Sequence, residues 1–69
     1  MLIKVIFNSG SQAGISVYEV EDASTSQISC HLGASALIHD GAYFEVVNRF
    51  FNSAESVLAV MVVQRGERK

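Results

Sequence analysis

Cys30, His31, His39 and Asp40 come nearest to a reactive cluster in this 69-residue sequence. Two chemistries use such residues. Zinc takes about four nitrogen, sulfur or oxygen ligands in a tetrahedron, most often supplied as two short-spaced pairs. A cysteine nucleophile needs a neighbouring base to form its thiolate. The local pattern speaks against both. Ile28, Cys30, Leu32, Ala34, Ala36 and Ile38 share one parity, while Ser29, His31, Gly33 and Ser35 hold the other. An alternation of this length predicts a strand, with Gly33 as a bend or bulge. Adjacent residues of a strand point to opposite faces, so Cys30 and His31 would not reach one ion or one substrate. Cys30 is then expected to be a buried, inert thiol. His39 and Asp40 belong to a turn, and the ligand count stays short. The expectation is no metal, no cofactor and no catalytic residue.

Other motifs are as sparse. Serine is common, but no Gly-x-Ser-x-Gly elbow is present. Residues 8–14, Asn-Ser-Gly-Ser-Gln-Ala-Gly, could cradle an anion on backbone amides. The Gly-Lys-Ser/Thr and helix that complete a phosphate loop do not follow, so a hairpin loop is expected. Arg49 is the one arginine before residue 65. It reads either as a solvated edge charge or as an interface anchor, because arginine and aromatics are enriched where proteins meet.

Charge narrows the partners. Residues 1–64 hold Lys4 and Arg49 against Glu19, Glu21, Asp22, Asp40, Glu45 and Glu55, a net of 2 − 6 = −4. Residues 65–69 hold Arg65, Arg68 and Lys69 against Glu67, a net of 3 − 1 = +2. An acidic body lacks the clustered bases that phosphate backbones require, so no nucleic acid is expected. The basic end 65–69 reads as a solubilising tail. Met1–Phe7 is apolar but broken by Lys4, unlike a signal peptide. The longest uncharged apolar run, Val57–Val63, has seven residues, against roughly 20 for a membrane span. No membrane partner is expected, and with a single cysteine the expected setting is the reducing cytoplasm.

The elements that would position these residues are mostly strands. There is no proline, so turns fall to Gly, Asn, Asp and Ser. Strands are expected over 2–7, 15–21, 28–38 and 57–64, with loops at 8–14 and 22–26. Segment 42–54 reads two ways. As a helix, polar Glu45, Asn48, Arg49, Asn52 and Ser53 lie opposite Tyr43, Val46, Val47, Phe50 and Ala54, with Asp40 as N-cap. As a strand, its aromatic and β-branched composition fits, and Asp40-Gly41 between apolar runs is a hairpin signal. The strand reading is preferred. Residues 52–56 then form a turn into the last strand. One domain, 1–69, is expected: an all-β, five-stranded antiparallel meander or SH3-like barrel, the alternative being α+β with a helix near 42–54 on a four-stranded sheet. From Leu32-Gly33-Ala34 to Gly66 the hairpin rhythm resembles small SH3-like barrels, a pattern that carries over no functional residue.

The most telling residues are apolar. Val57, Ala59, Met61 and Val63 line one face of the last strand, and Leu58, Val60 and Val62 the other. In the strand before it, Tyr43, Val47 and Phe51 oppose Phe44, Val46 and Phe50. A small antiparallel sheet normally wets one face, and a domain near 60 residues buries only about 60% of its unfolded surface. A surplus apolar face calls for a partner. The expectation is a non-enzymatic interaction module, an accessory or inhibitory factor in kind. It would be a homodimer or higher homo-oligomer through Tyr43, Val47, Arg49, Phe51, Met61 and Val63, and would bind a protein partner. The alternative is a protein that binds or sequesters a small ligand in a pocket between subunits, built from the 8–14 loop, Arg49 and the histidines.

Overall fold

Strand β1, Leu2–Phe7, alternates as its sequence does, with Ile3 and Val5 fully buried on one face. We call this the front face. The structure is a computed structural model that describes residues 1–8 and 13–67, and for residues 66 and 67 the backbone alone. A hairpin leads to β2, Ser16–Val20, which pairs antiparallel with β1. Residues 9–12 of the connecting loop lie outside the described residues, so the anion-cradle reading of 8–14 falls mostly outside them too.

After β2 the chain departs from the expected strand over 28–38. Thr25–Gly33 is a helix, α1, and only Ala36–His39 is a strand, β3. The helix start is encoded locally. The Ser24 hydroxyl accepts from the Gln27 amide at 3.1 Å, and the Gln27 side chain accepts from the Ser24 amide at 2.8 Å. This reciprocal capping box satisfies two amides that would otherwise lack partners. Ile28 and Leu32 stand four residues apart. They share a helix face as readily as a strand parity, and this overlap made the alternation ambiguous. Correcting the segment also moves Cys30, which is exposed on α1 rather than buried in a strand.

Ala42–Asn52 is a strand, β4, which settles the helix alternative for 42–54 in favour of the preferred reading. Asp40 and Gly41 take φ of +49° and +79°, making the tight turn between β3 and β4. Positive φ at both central residues matches the twist of the flanking strands. A Cβ added at Gly41 would meet nothing within 4 Å, so the strain of a substitution there would be in the backbone. Gly41→Val is therefore expected to cost on the order of 1 kcal/mol or more, read by urea denaturation. A second turn follows β4. The Asn52 Oδ1 accepts from the Ala54 and Glu55 amides at 3.1 and 3.2 Å, and Ser56 takes φ of +54°.

Strand β5, Val57–Glu67, closes the sheet in the order β2-β1-β5-β4-β3. The meander is not fully antiparallel. β5 pairs parallel with β1, Ile3 opposite Leu58 and Val5 opposite Val60. The reason is the helix. It carries the chain from the β2 edge across the front face to the β3 edge, from which β3, β4 and β5 alternate in direction, so that β5 arrives beside β1 pointing the same way. The fold is thus mainly β, a curled five-stranded mixed sheet with one short helix. Its core is small: Ile3, Val5, Phe44, Leu58, Val60 and Val62. β5 is the middle strand, with Val60 and Val62 fully buried. Native-state amide exchange is expected to be slowest over 58–62, since edge elements open first.

A bulge in β4 decides which of its side chains reach which face. In β4 the register shifts between Val46 and Asn48: Val46 faces Val62, Asn48 faces Met61, and Val47 is the extra residue. Beyond the bulge the parity of β4 is inverted. Phe51 pairs with Leu58 on the front, while Phe50 pairs with Ala59 on the back. The expected face of Tyr43, Val47 and Phe51 is thus split.

Candidate functional site

The back face is built by alternation on the two longest strands and on β1. Leu2, Lys4 and Ile6 of β1 sit beside Val57, Ala59 and Met61 of β5, and Phe50 sits across from Ala59. Val63 faces Glu45, which receives Arg65 Nη2 at 2.9 Å. Lys4 lies 4.0 Å from Glu19 on the β2 side. Along β5 this face is apolar, with Lys4 of β1 beside Ala59, and Asn48 and Glu45 of β4 beside Met61 and Val63. None of the described elements packs over it: the one helix lies on the front. Phe50 is 56% exposed. Leu2, Lys4, Phe50, Asn52, Glu55, Val57 and Ala59 line a shallow depression of about 430 Å³ at one end of it.

The residues expected to form an interface are therefore distributed. Tyr43, Met61 and Val63 share the back face, Val47 sits exposed at the bulge, and Phe51 and Arg49 point to the front. Phe50 joins the back-face group. The signal was in the sequence: polar Asn48 interrupts the parity of Phe44 and Val46, and a bulge after Val46 turns Asn48 to the back and brings Arg49 and Phe51 to the front.

Arg49 does a different task from an edge charge. Its Nε donates to the His31 carbonyl at 3.0 Å, and its Nη2 donates to the Ala34 carbonyl. These carbonyls close the C-terminal end of α1, where the last four lack helical partners and the helix dipole is negative. The bulge makes this possible by turning Arg49 to the front. Asn48 Oδ1 accepts from the Arg49 amide at 2.8 Å. Arg49→Met would keep the aliphatic stem and lose both bonds. The expected cost is about 2 kcal/mol, measured by chemical denaturation. Arg49 engaged in this way does not reach the back face.

Tyr18 joins three elements in front of the core. Its hydroxyl lies 2.7 Å from His31 Nε2, and its ring stacks on His39 at 4.5 Å. His31 Nδ1 lies 2.7 Å from the Gln27 carbonyl, which can only accept. Nδ1 therefore carries the proton, and in the neutral ring Nε2 accepts from Tyr18. Burial pushes the Tyr18 hydroxyl pKa up, so this group holds its proton and is no ready nucleophile. The sign for stability follows. A folded-state pKa above the unfolded one favours folding below about pH 10, and that contribution is lost as pH rises through the folded value. Tyr18→Phe is expected to flatten the alkaline fall in stability above pH 10, read from denaturation midpoints.

Cys30 is exposed on α1, His31 faces Tyr18, and His39 lies 3.4 Å from Asp40 at the turn. Among the described residues no group of three or more His, Cys, Asp or Glu is placed to hold a metal ion. None of the described helices is long and apolar enough to cross a membrane.

A second apolar feature lies on the front, where α1 meets the start of β5. Met1, Ile28, Leu32, Phe51 and Leu58 surround a notch of about 230 Å³ with no polar lining. Leu32 and Phe51 are more than half exposed there. Met1 also borders a neighbouring cleft of about 360 Å³ lined by Glu21, Asp22 and Glu55. No family model matches the chain, and neither a curated protein nor a solved structure matches it.

Proposed function

We propose that the protein is a non-enzymatic interaction module that self-associates through the back face of its sheet and binds a protein partner. The observation that carries this reading is the asymmetry of β5. Leu58, Val60 and Val62 are buried under the front layer, while Val57, Ala59, Met61 and Val63 on the same strand have no layer over them. Open sheets hide such a face against a second layer. A second copy supplies one of matching shape, because a two-fold axis brings the same patch to itself. The size fits: the molecule measures 35 × 24 × 17 Å, and a standard interface takes about 800 Å² per partner. The need fits as well. An exposed area of 4456 Å² compares with about 10,900 Å² for an extended chain of 7.5 kDa, so about 60% is buried, the range in which small domains are marginal alone.

The experiment reads the face directly. A soluble paramagnetic agent is added to methyl-labelled protein at high and low concentration. The Met61, Val63 and Ala59 methyl signals are expected to be protected at high concentration and bleached on dilution. Bleaching at every concentration would remove the reading. A pocket between subunits is a second reading, favoured by the depression that holds Lys4 and Phe50 on the face a second copy would cover.

A further inference from the structure

We propose that the front notch between α1 and the β4–β5 end is the docking point for a partner protein's basic segment, which inserts one bulky apolar side chain flanked by lysine or arginine. The proposal rests on the reading of the protein as an interaction module but places the contact on the front, with Glu55 of the adjoining cleft bordering the back-face depression as well. The notch is about 230 Å³ and wholly apolar, smaller than the roughly 300–1,000 Å³ of small-molecule pockets, and so suited to one side chain. Leu32 and Phe51, which line it, are each more than half exposed to solvent. A partner's aromatic or aliphatic anchor, seated in a dry notch within a polar rim, is the usual form of an interface hot spot.

Charge selects the occupant. Met1 is shared between the notch and the adjoining cleft, whose charged side chains are Glu21, Asp22 and Glu55. Among the described residues none of these three carboxylates is in an ion pair, and no lysine or arginine lines the cleft. An acidic rim of this kind steers a basic segment to the notch and repels an acidic one. The chain's own basic end is a poor occupant. Gln64-Arg65-Gly66-Glu67-Arg68-Lys69 has charge but no bulky apolar residue to insert.

The test uses the full chain, isotopically labelled, and a ten-residue synthetic peptide with one central phenylalanine between two arginines on each side. Its amide signals are followed by NMR during titration into the millimolar range. Shifts are expected at Ile28, Leu32, Phe51 and Leu58. The same peptide with phenylalanine replaced by alanine, or with its arginines replaced by glutamates, is expected to bind at least tenfold more weakly. Leu32→Glu should abolish the shifts, and the pair Glu21→Gln with Asp22→Asn should weaken binding about fivefold and reduce its salt dependence. Saturating shifts at the back face instead, equal binding by the alanine or glutamate peptide, or no shift at all would each overturn the proposal. Solution mass keeps the two readings apart. Leu32→Glu is expected to leave it unchanged. A chain that is monomeric yet binds the peptide at the notch loses the self-association and keeps this site. A dimer that ignores the peptide loses the site alone.

Discussion

Phe44→Ala is expected to lower stability by about 3–5 kcal/mol, the usual range for deleting a buried aromatic ring. Phe44 is 4% exposed, and its ring meets Phe7 edge to face at 5.7 Å. It lies between Leu37 on β3 and Gln64 on β5, so one side chain joins the far hairpin to the centre of the sheet. A chain of this length has in total roughly 3–10 kcal/mol to lose, at about 0.05–0.15 kcal/mol per residue. The variant is thus expected to lose about a third of that stability or more and to unfold at a much lower urea midpoint, as followed by circular dichroism. Phe44→Leu should recover most of the loss, since it keeps apolar volume. A Phe44→Ala protein with the parent's midpoint would show that the core does not depend on this contact.

Phe50→Asp is expected to dissociate the self-associated form while leaving the subunit folded. Phe50 is 56% exposed in the single chain, so folding asks little of it. In a back-to-back dimer it would enter the contact beside Ala59, and a carboxylate taken out of water there costs several kcal/mol. At 1.4 kcal/mol per factor of ten, a loss of about 3 kcal/mol weakens association more than a hundredfold. Met61→Asp should act in the same direction. Phe51→Asp, one residue along but on the front face, is the control and should leave the mass unchanged. Equal masses for parent and Phe50→Asp would move the contact elsewhere.

The sequence carried the sheet more fully than the topology. Val57–Val63 announced a central strand by being apolar on both parities, and Asp40-Gly41 announced its turn by residue type. Helix α1 was hidden because Ile28 and Leu32 satisfy a two-residue and a four-residue repeat together. The Ser24–Gln27 capping box was the local cue that separates them. The parallel pairing of β1 with β5 depends on that helix, so one misread segment turned a mixed sheet into an antiparallel one. The bulge at Val47 was legible only through the misplaced polarity of Asn48. With it went the faces of Arg49, Phe50 and Phe51. Arg49 illustrates the limit of pattern reading: its partners are backbone carbonyls of His31 and Ala34, groups that every residue type carries and no sequence marks.

Sedimentation equilibrium of the unmodified chain at tens of micromolar tests the central claim most directly. Self-association through the back face predicts a mass of twice 7.5 kDa or more, falling towards 7.5 kDa on dilution and for Phe50→Asp. A constant 7.5 kDa across that concentration range, with Phe50 and Met61 open to solvent probes, would contradict it.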